Sequence, residues 1–214
     1  MVYQWYPGHM TKARRAMQED IKLIDLIIEL VDARCPQSSR NPDIDEMGKN
    51  KARLILLNKS DLSDPGANSA RTANFESLGL AVQEINARSK RCILNRPVRA
   101  MVAGIPNVGK STFINSFAGK ACAKTGNKPG VTKGKQWIRL NKGLELLDTP
   151  GILWPKFEDQ AVGERLALIG SMNDEILNRE EMALSLLVFI GENYPEALEK
   201  RYQLTLDTAG ADGD

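Results

Sequence analysis

Read by period alone, the chain alternates short aliphatic runs with longer amphipathic ones. Ala13, Met17 and Ile21 recur every four residues among Lys and Arg, so Thr11–Lys22 is expected to form a helix. Leu26–Val31 (LIIELV) reads as a strand ending at Asp32, and Arg53–Leu57 as a second, running straight into Asn58-Lys59-Ser60-Asp61. Leu80–Ile85 is a third; Arg99–Ala103 is a fourth that opens onto a glycine loop and then a helix over Thr112–Ala118. Gln136–Leu140 and Leu144–Leu147 supply two more strands, joined by a hairpin-like turn at Asn141-Lys142-Gly143. From Gln160 to Leu204 the pattern turns helical and acidic, and the closing TAGADGD reads as a disordered tail. Strands interleaved with helical segments predict an α/β fold with a mostly parallel sheet flanked by helices.

Composition narrows this picture. With 214 residues and 42% apolar content there is enough chain for one well-cored domain and an appendage. The longest apolar stretch, Ala183–Ile190 with Ser185 inside it, is far short of the ~20 residues of a membrane helix, so no membrane role is expected. The start, MVYQWYPGHM, lacks the basic and apolar regions of a secretory signal. Cys35, Cys92 and Cys122 are widely spaced without a CxxC, which argues against a disulfide framework or a zinc site. A cytoplasmic monomer is the expectation.

Charge changes the picture more. The formal net charge of +2 hides a split: residues 81–142 carry 13 basic groups against one acid, Glu84, whereas residues 143–214 carry 15 acidic groups against 5 basic ones. The basic block points to a polyanionic partner, and the helical part of the acidic stretch, residues 156–205, reads as an arm that mostly does not face phosphate.

Three motifs carry chemistry. Gly104-Ile-Pro-Asn-Val-Gly-Lys-Ser111 fits G-x-x-x-x-G-K-[ST] between a strand and a helix, the context a phosphate loop needs. Backbone N–H groups from Asn107, Val108 and Gly109 through Thr112 then face phosphate oxygens, Lys110 neutralises the β- and γ-phosphates, and the Ser111 hydroxyl ligates Mg²⁺. Asp148-Thr-Pro-Gly151 ends a strand in a carboxylate that can hold Mg²⁺ through water, with the Gly151 N–H facing the γ-phosphate. Asn58, Lys59 and Asp61 form an NKxD turn. A carboxylate there accepts from guanine N1–H and N2–H₂, where adenine offers no donors, and paired hydrogen bonds of this kind discriminate by about 10⁴.

These blocks resemble the G motifs of translation-factor-like GTPases, with Thr132 in Pro129-Gly-Val-Thr132 as the second motif and Asn86 and Ala87 in Ile85-Asn-Ala-Arg88 as the fifth. Their order here is G4-G5-G1-G2-G3, a circular permutation. Together with Gln4-Trp-Tyr-Pro-Gly-His-Met10, Val31-Asp-Ala-Arg34 and Leu147–Pro155, that order resembles the YlqF/RbgA ribosome-biogenesis GTPases from residue 3 to about 205. The resemblance implies a permuted P-loop GTPase domain over 1–155, a short helical region over 156–205 and a tail over 206–214. It further implies GTP and GDP as ligands, Mg²⁺ at Ser111, Thr132 and Asp148, K⁺ at Asn107, and a precursor of the large ribosomal subunit with its rRNA as partner.

Ile152 stands where many GTPases place a water-orienting Gln, and its side chain makes no hydrogen bond. The resemblance gives that task to His9, the one histidine, since an imidazole can orient or deprotonate water. The plainer reading has His9 starting the first helix beside Trp5 and Tyr6. One feature departs from the family: about ten residues between Arg88 and Arg99 must connect strands expected to be parallel neighbours, where a crossover needs a dozen or more. Two other functions fit the same residues: a nucleotide-gated binding module with negligible turnover, and a GTPase acting on tRNA or a protein partner.

Overall fold

A computed structural model describes Tyr3 and residues 5–84, 98–123, 135–141 and 144–203. Its centre is a six-stranded sheet in the order β3-β2-β1-β4-β6-β5. The strands are β1 (Leu26–Asp32), β2 (Ala52–Asn58), β3 (Ala81–Glu84), β4 (Val98–Gly104), β5 (Gln136–Asn141) and β6 (Leu144–Asp148). All neighbours pair in parallel except β5, which runs antiparallel to β6 at one edge.

The apolar runs decide who sits in the middle. Ile27, Ile28, Leu30 and Val31 are all buried, so β1 is covered on both faces and lies between β2 and β4. The strands flanking the 85–97 segment, expected to be parallel neighbours, are not: β3 takes the far edge and β4 pairs with β1. Two strands therefore lie between them, and the connection itself falls outside the described residues. One charge interrupts the apolar run of β1. Burial raises the Glu29 carboxyl, partly offset by Arg53 and Arg40, and Arg53 Nη2 donates to its Oε2 at 2.5 Å.

The helices are α1 (Gly8–Asp20), α2 (Pro42–Met47), α3 (Pro65–Ser77), α4 (Lys110–Ala118), α5 (Gln160–Leu168), α6 (Arg179–Asn193) and α7 (Pro195–Tyr202). The sequence pattern missed α2 and α3, although both carry start signals. Asn41 Oδ1 accepts from the Asp43 N–H ahead of Pro42, and Asp64 Oδ1 accepts from the Ala67 N–H ahead of Pro65. Helix α1 begins three residues earlier than its periodicity suggested, which puts His9 in its first turn.

The chain forms two compact units, one running through Asn173 and the other beginning at Asp174. The helical stretch expected as a single region from 156 is thus divided. Helix α5 stays with the sheet: a Cβ on Gly163 would lie 2.5 Å from Tyr3 Cβ and 3.0 Å from the Phe157 ring. The second unit holds α6 and α7. Asn178 caps α6 through the Glu180 and Glu181 N–H groups, and Leu198 of α7 is buried.

Candidate guanine-nucleotide site

Strand register brings the three motifs to one edge of the sheet. Asp32 stands beside Asn58, Leu30 beside Gly104, and Val102 beside Asp148, so β1, β2, β4 and β6 end together. Ligands of open parallel sheets bind beyond such carboxyl ends.

The phosphate loop leaves β4 through backbone that only small residues tolerate. Gly104 has φ +146°, and a Cβ there would sit 2.5 Å from the Leu30 carbonyl oxygen. Gly109 has φ +102°, and a Cβ there would come within 2.4 Å of Asn58 Nδ2. Lys110 opens α4 and is buried, its Nζ donating to the carbonyls of Gly104 at 3.1 Å and Ile105 at 2.8 Å. Burial pushes its ammonium down to about 8, against the opposing pull of Asp148. Ser111 and Thr112 follow in the first turn of α4, half-buried.

Asp148 ends β6. Burial raises its carboxyl to about 6 despite Lys110 and the Thr149 N–H, and its Oδ1 has no hydrogen-bond partner among the described residues. The next residues are pinned to the loop: Thr149 Oγ1 donates to the Val102 carbonyl at 2.8 Å. Gly151 lies against Pro106 so closely that a Cβ would be 2.6 Å from Pro106 Cα. Gly151→Ala is therefore expected to cost about 1–3 kcal/mol of stability through overpacking against backbone, read as a lower denaturant midpoint with an unchanged slope. Ile152 is fully buried and its carbonyl accepts from Asn41 Nδ2 at 2.9 Å, so its side chain faces the core rather than a water.

The NKxD turn grips the same loop. Asn58 Nδ2 donates to the Val108 carbonyl at 2.7 Å, and Lys59 Nζ donates to the Asn107 carbonyl at 3.0 Å. Lys59 itself has φ 60°, and Asp61 stands exposed on the 3-10 turn that follows. Asn107, also at positive φ (57°), donates from Nδ2 to the Gly170 carbonyl at 2.7 Å.

Three contributors escaped the sequence reading: Asn41, Gly170 and Ser171. Ser171 Oγ donates to the Pro106 carbonyl at 2.9 Å. It is held there by the end of α5, where Gly170 (φ +77°) donates to Ala167 and Ser171 to Leu166, a Schellman closure. A glycine directly after an amphipathic run was the readable signal. Residues 156–205 are expected from their charge mostly not to face the nucleotide; Gly170 and Ser171 are a part of them that meets the phosphate loop. His9 is exposed in the first turn of α1, 6.2 Å from the Trp5 ring in an edge-on arrangement. Asn86, Ala87 and Thr132 lie outside the described residues, as does the Asn141–Gly143 turn beyond Asn141.

A G-x-x-x-x-G-K-S loop, a strand-end carboxylate and an NKxD turn on one mostly parallel sheet, with the NKxD turn ahead of that loop in the chain, define a circularly permuted GTPase domain. The 50S ribosome-binding GTPase family matches residues 99–209. Ribosome biogenesis GTPase A of Bacillus licheniformis is 50% identical over 95% of this chain and 80% of its own length. GNP-bound YlqF from T. maritima superposes with a TM-score of 0.68 at 27% identity, covering 93% of this chain and 86% of that one. A GDP-bound structure of TM YlqF gives the same score at 26% identity over 89% and 86% of the two chains. The chain belongs to the ribosome biogenesis GTPase A (YlqF/RbgA) family of circularly permuted GTPases.

Proposed function

We propose that this GTPase acts in assembly of the large ribosomal subunit, binding precursor particles and their rRNA in one nucleotide state and leaving when GTP is hydrolysed. The observation that carries the nucleotide part is the convergence of Lys110, Asp148, Gly151, Asn58 and Lys59 on one loop at the carboxyl edge of the sheet. The ribosomal part is supported by family membership and by the basic block over 81–142.

In this reading Asp61 takes the guanine edge, with Asn86 and Ala87 as backbone contacts to the base. Val108, Gly109, Ser111 and Thr112 donate backbone N–H groups to phosphate, and Gly151 meets the γ-phosphate. The orphaned, buried Asp148 Oδ1 fits a hydrated cation, so Asp148, Ser111 and Thr132 are the proposed holders of Mg²⁺, which would supply positive charge against the phosphates. K⁺ is proposed at Asn107, whose amide plane is fixed by the hydrogen bond from Nδ2 to Gly170.

Hydrolysis needs a water aligned with the γ-phosphorus; its oxygen bonds to phosphorus, the bond to the β,γ-bridging oxygen breaks to leave GDP, and both protons of the water end on the dihydrogen phosphate released. With Ile152 buried, we assign the orienting group to His9. Supporting this, the Leu153 N–H reaches Met10 Sδ at 3.4 Å and Met10 is fully buried, so the turn that bears His9 is tethered two residues beyond Gly151. His9→Ala is expected to slow single-turnover GTP hydrolysis by about 10²-fold while leaving GDP affinity unchanged; a wild-type rate removes His9 from the mechanism.

The overall reading is tested by GTP turnover with and without large ribosomal subunits. Stimulation by the particles supports it. Tight GTP binding with no turnover in either case favours the second reading, a nucleotide-gated binding module, for which the buried Ile152 speaks. Turnover stimulated only by tRNA or a protein points to a different client. A cytoplasmic monomer is the working form, and no helix among the described residues is long and apolar enough to cross a membrane.

A further inference from the structure

The Val31-Asp-Ala-Arg34 block has no part in the site as described, yet it reaches it. Asp32 ends β1 with its side chain 1% exposed, and two cations share its carboxylate. Arg34 closes a fork on it, Nε to Oδ1 and Nη2 to Oδ2, both at 2.8 Å, and the Arg34 backbone N–H adds a third bond at 3.2 Å. Lys59 Nζ donates to Oδ2 at 2.9 Å, and the same ammonium donates to the Asn107 carbonyl. The strand end is fixed independently: the Asp32 N–H donates to Ser39 Oγ at 3.0 Å, and the Ala33 N–H to the Asn58 carbonyl at 2.9 Å. Burial works against a charged Asp32, but the bonds and charges of Arg34 and Lys59 outweigh it and hold the carboxyl below its ordinary value.

We propose that Asp32 and Arg34 are positioning residues for guanine-nucleotide binding, acting through Lys59 to hold the base-reading turn and the Asn107 end of the phosphate loop in one register. The inference rests on the guanine-nucleotide reading of the site. Its logic is geometric. A lysine ammonium is a compact charge on a flexible stem, and its direction must come from its partners. The left-handed backbone at Lys59 starts the side chain toward the loop, and Asp32 fixes where the ammonium stops. Arg34 in turn fixes the carboxylate, since a planar fork holds both oxygens where a single donor leaves rotation. The Arg34 side chain remains 32% exposed, so the chain Arg34–Asp32–Lys59–Asn107 runs from solvent to the phosphate loop.

The linked segments meet parts of the nucleotide common to GDP and GTP, so a break in the chain weakens both ligands equally. The test is equilibrium binding of GDP and a GTP analogue to the full chain, with thermal unfolding of each variant measured alongside. Asp32→Asn and Arg34→Ala are each expected to weaken both nucleotides about tenfold, and Arg34→Lys to fall between Arg34→Ala and wild type. In a Lys59→Met background, Asp32→Asn should change affinity by less than twofold while its effect on unfolding temperature persists. That split separates positioning through Lys59 from general damage to the fold. An equal loss in both backgrounds overturns the inference, as does an affinity within twofold of wild type in Asp32→Asn and Arg34→Ala. If Asp32→Asn does not fold, the two Arg34 variants decide by the same criterion. Failure of the wild-type chain to bind guanine nucleotides is a separate result, and it overturns the site reading instead.

Discussion

Asp61→Asn is expected to lower affinity for GTP and GDP by about 10⁴ while leaving the fold intact. The carboxylate offers acceptors to both donors on the guanine edge, N1–H and N2–H₂. An asparagine amide keeps one acceptor and turns an N–H₂ toward a guanine donor, so one hydrogen bond is lost and one donor is left facing another. Leaving a site's polar group unmatched costs more than the bond itself contributes, which makes the expected loss large. Xanthine, with a carbonyl in place of the exocyclic amine, meets the amide's donor, so the variant should prefer xanthosine nucleotides. Asp61 is exposed on the turn after Lys59, and exposed substitutions usually move stability by no more than about 0.5 kcal/mol. Competition binding with GDP, ADP and XDP measures the change. Guanine affinity within tenfold of wild type moves base recognition away from Asp61.

What could be read from the sequence was whatever is local in it. The phosphate loop, the Asp148–Gly151 segment and the NKxD turn each follow directly on a strand, so their chemistry and their place at a strand end come as one signal. The parallel sheet and its antiparallel edge were legible for the same reason. Strand order was not, because the LIIELV run announces a buried strand without naming its two neighbours; β3 proved to be an edge strand and not the partner of β4. Long-range hydrogen bonds are equally silent. Nothing near Ser171 says that its hydroxyl meets Pro106, nor near Asn41 that its amide meets Ile152. The division of the acidic stretch follows from this: charge suggested one arm, but the Schellman turn after α5 returns the backbone to the phosphate loop before the second unit begins at Asp174.

Lys110→Met is expected to act in two directions that a merely structural lysine does not combine. In this structure the ammonium is enclosed and satisfied by two carbonyls of its own loop, a poor substitute for phosphate oxygens, and burial lowers it to about 8. A triphosphate replaces neutral acceptors with charged ones, each such bond contributing about 1.5–3 kcal/mol. Losing two of them should weaken GTP binding by about 10²-fold or more, and GDP, which lacks the γ-phosphate, by about tenfold. The stability of the nucleotide-free protein tells the other half. An unfolded lysine holds its proton up to about 10.4, whereas Lys110 releases it in the folded chain near 8. Between those values the unfolded state binds more protons, so folding stability contributed by this group rises with pH, at about 1.4 kcal/mol per unit. Below about pH 8 the buried charge is carried at full cost. Urea unfolding of the nucleotide-free chain with Lys110 and with Lys110→Met at pH 7.5, 8.5 and 9.5 is compared in an Asp148→Asn background, because Lys110 holds the Asp148 carboxyl down and its loss shifts that titration too. The titrations independent of Lys110 cancel in the difference. The chain with Lys110 should gain on the Lys110→Met variant steadily across about pH 8 to 10. Parallel curves mean that Lys110 is not buried as an ammonium in the empty site, and its retention on the Gly104 and Ile105 carbonyls then has to be abandoned.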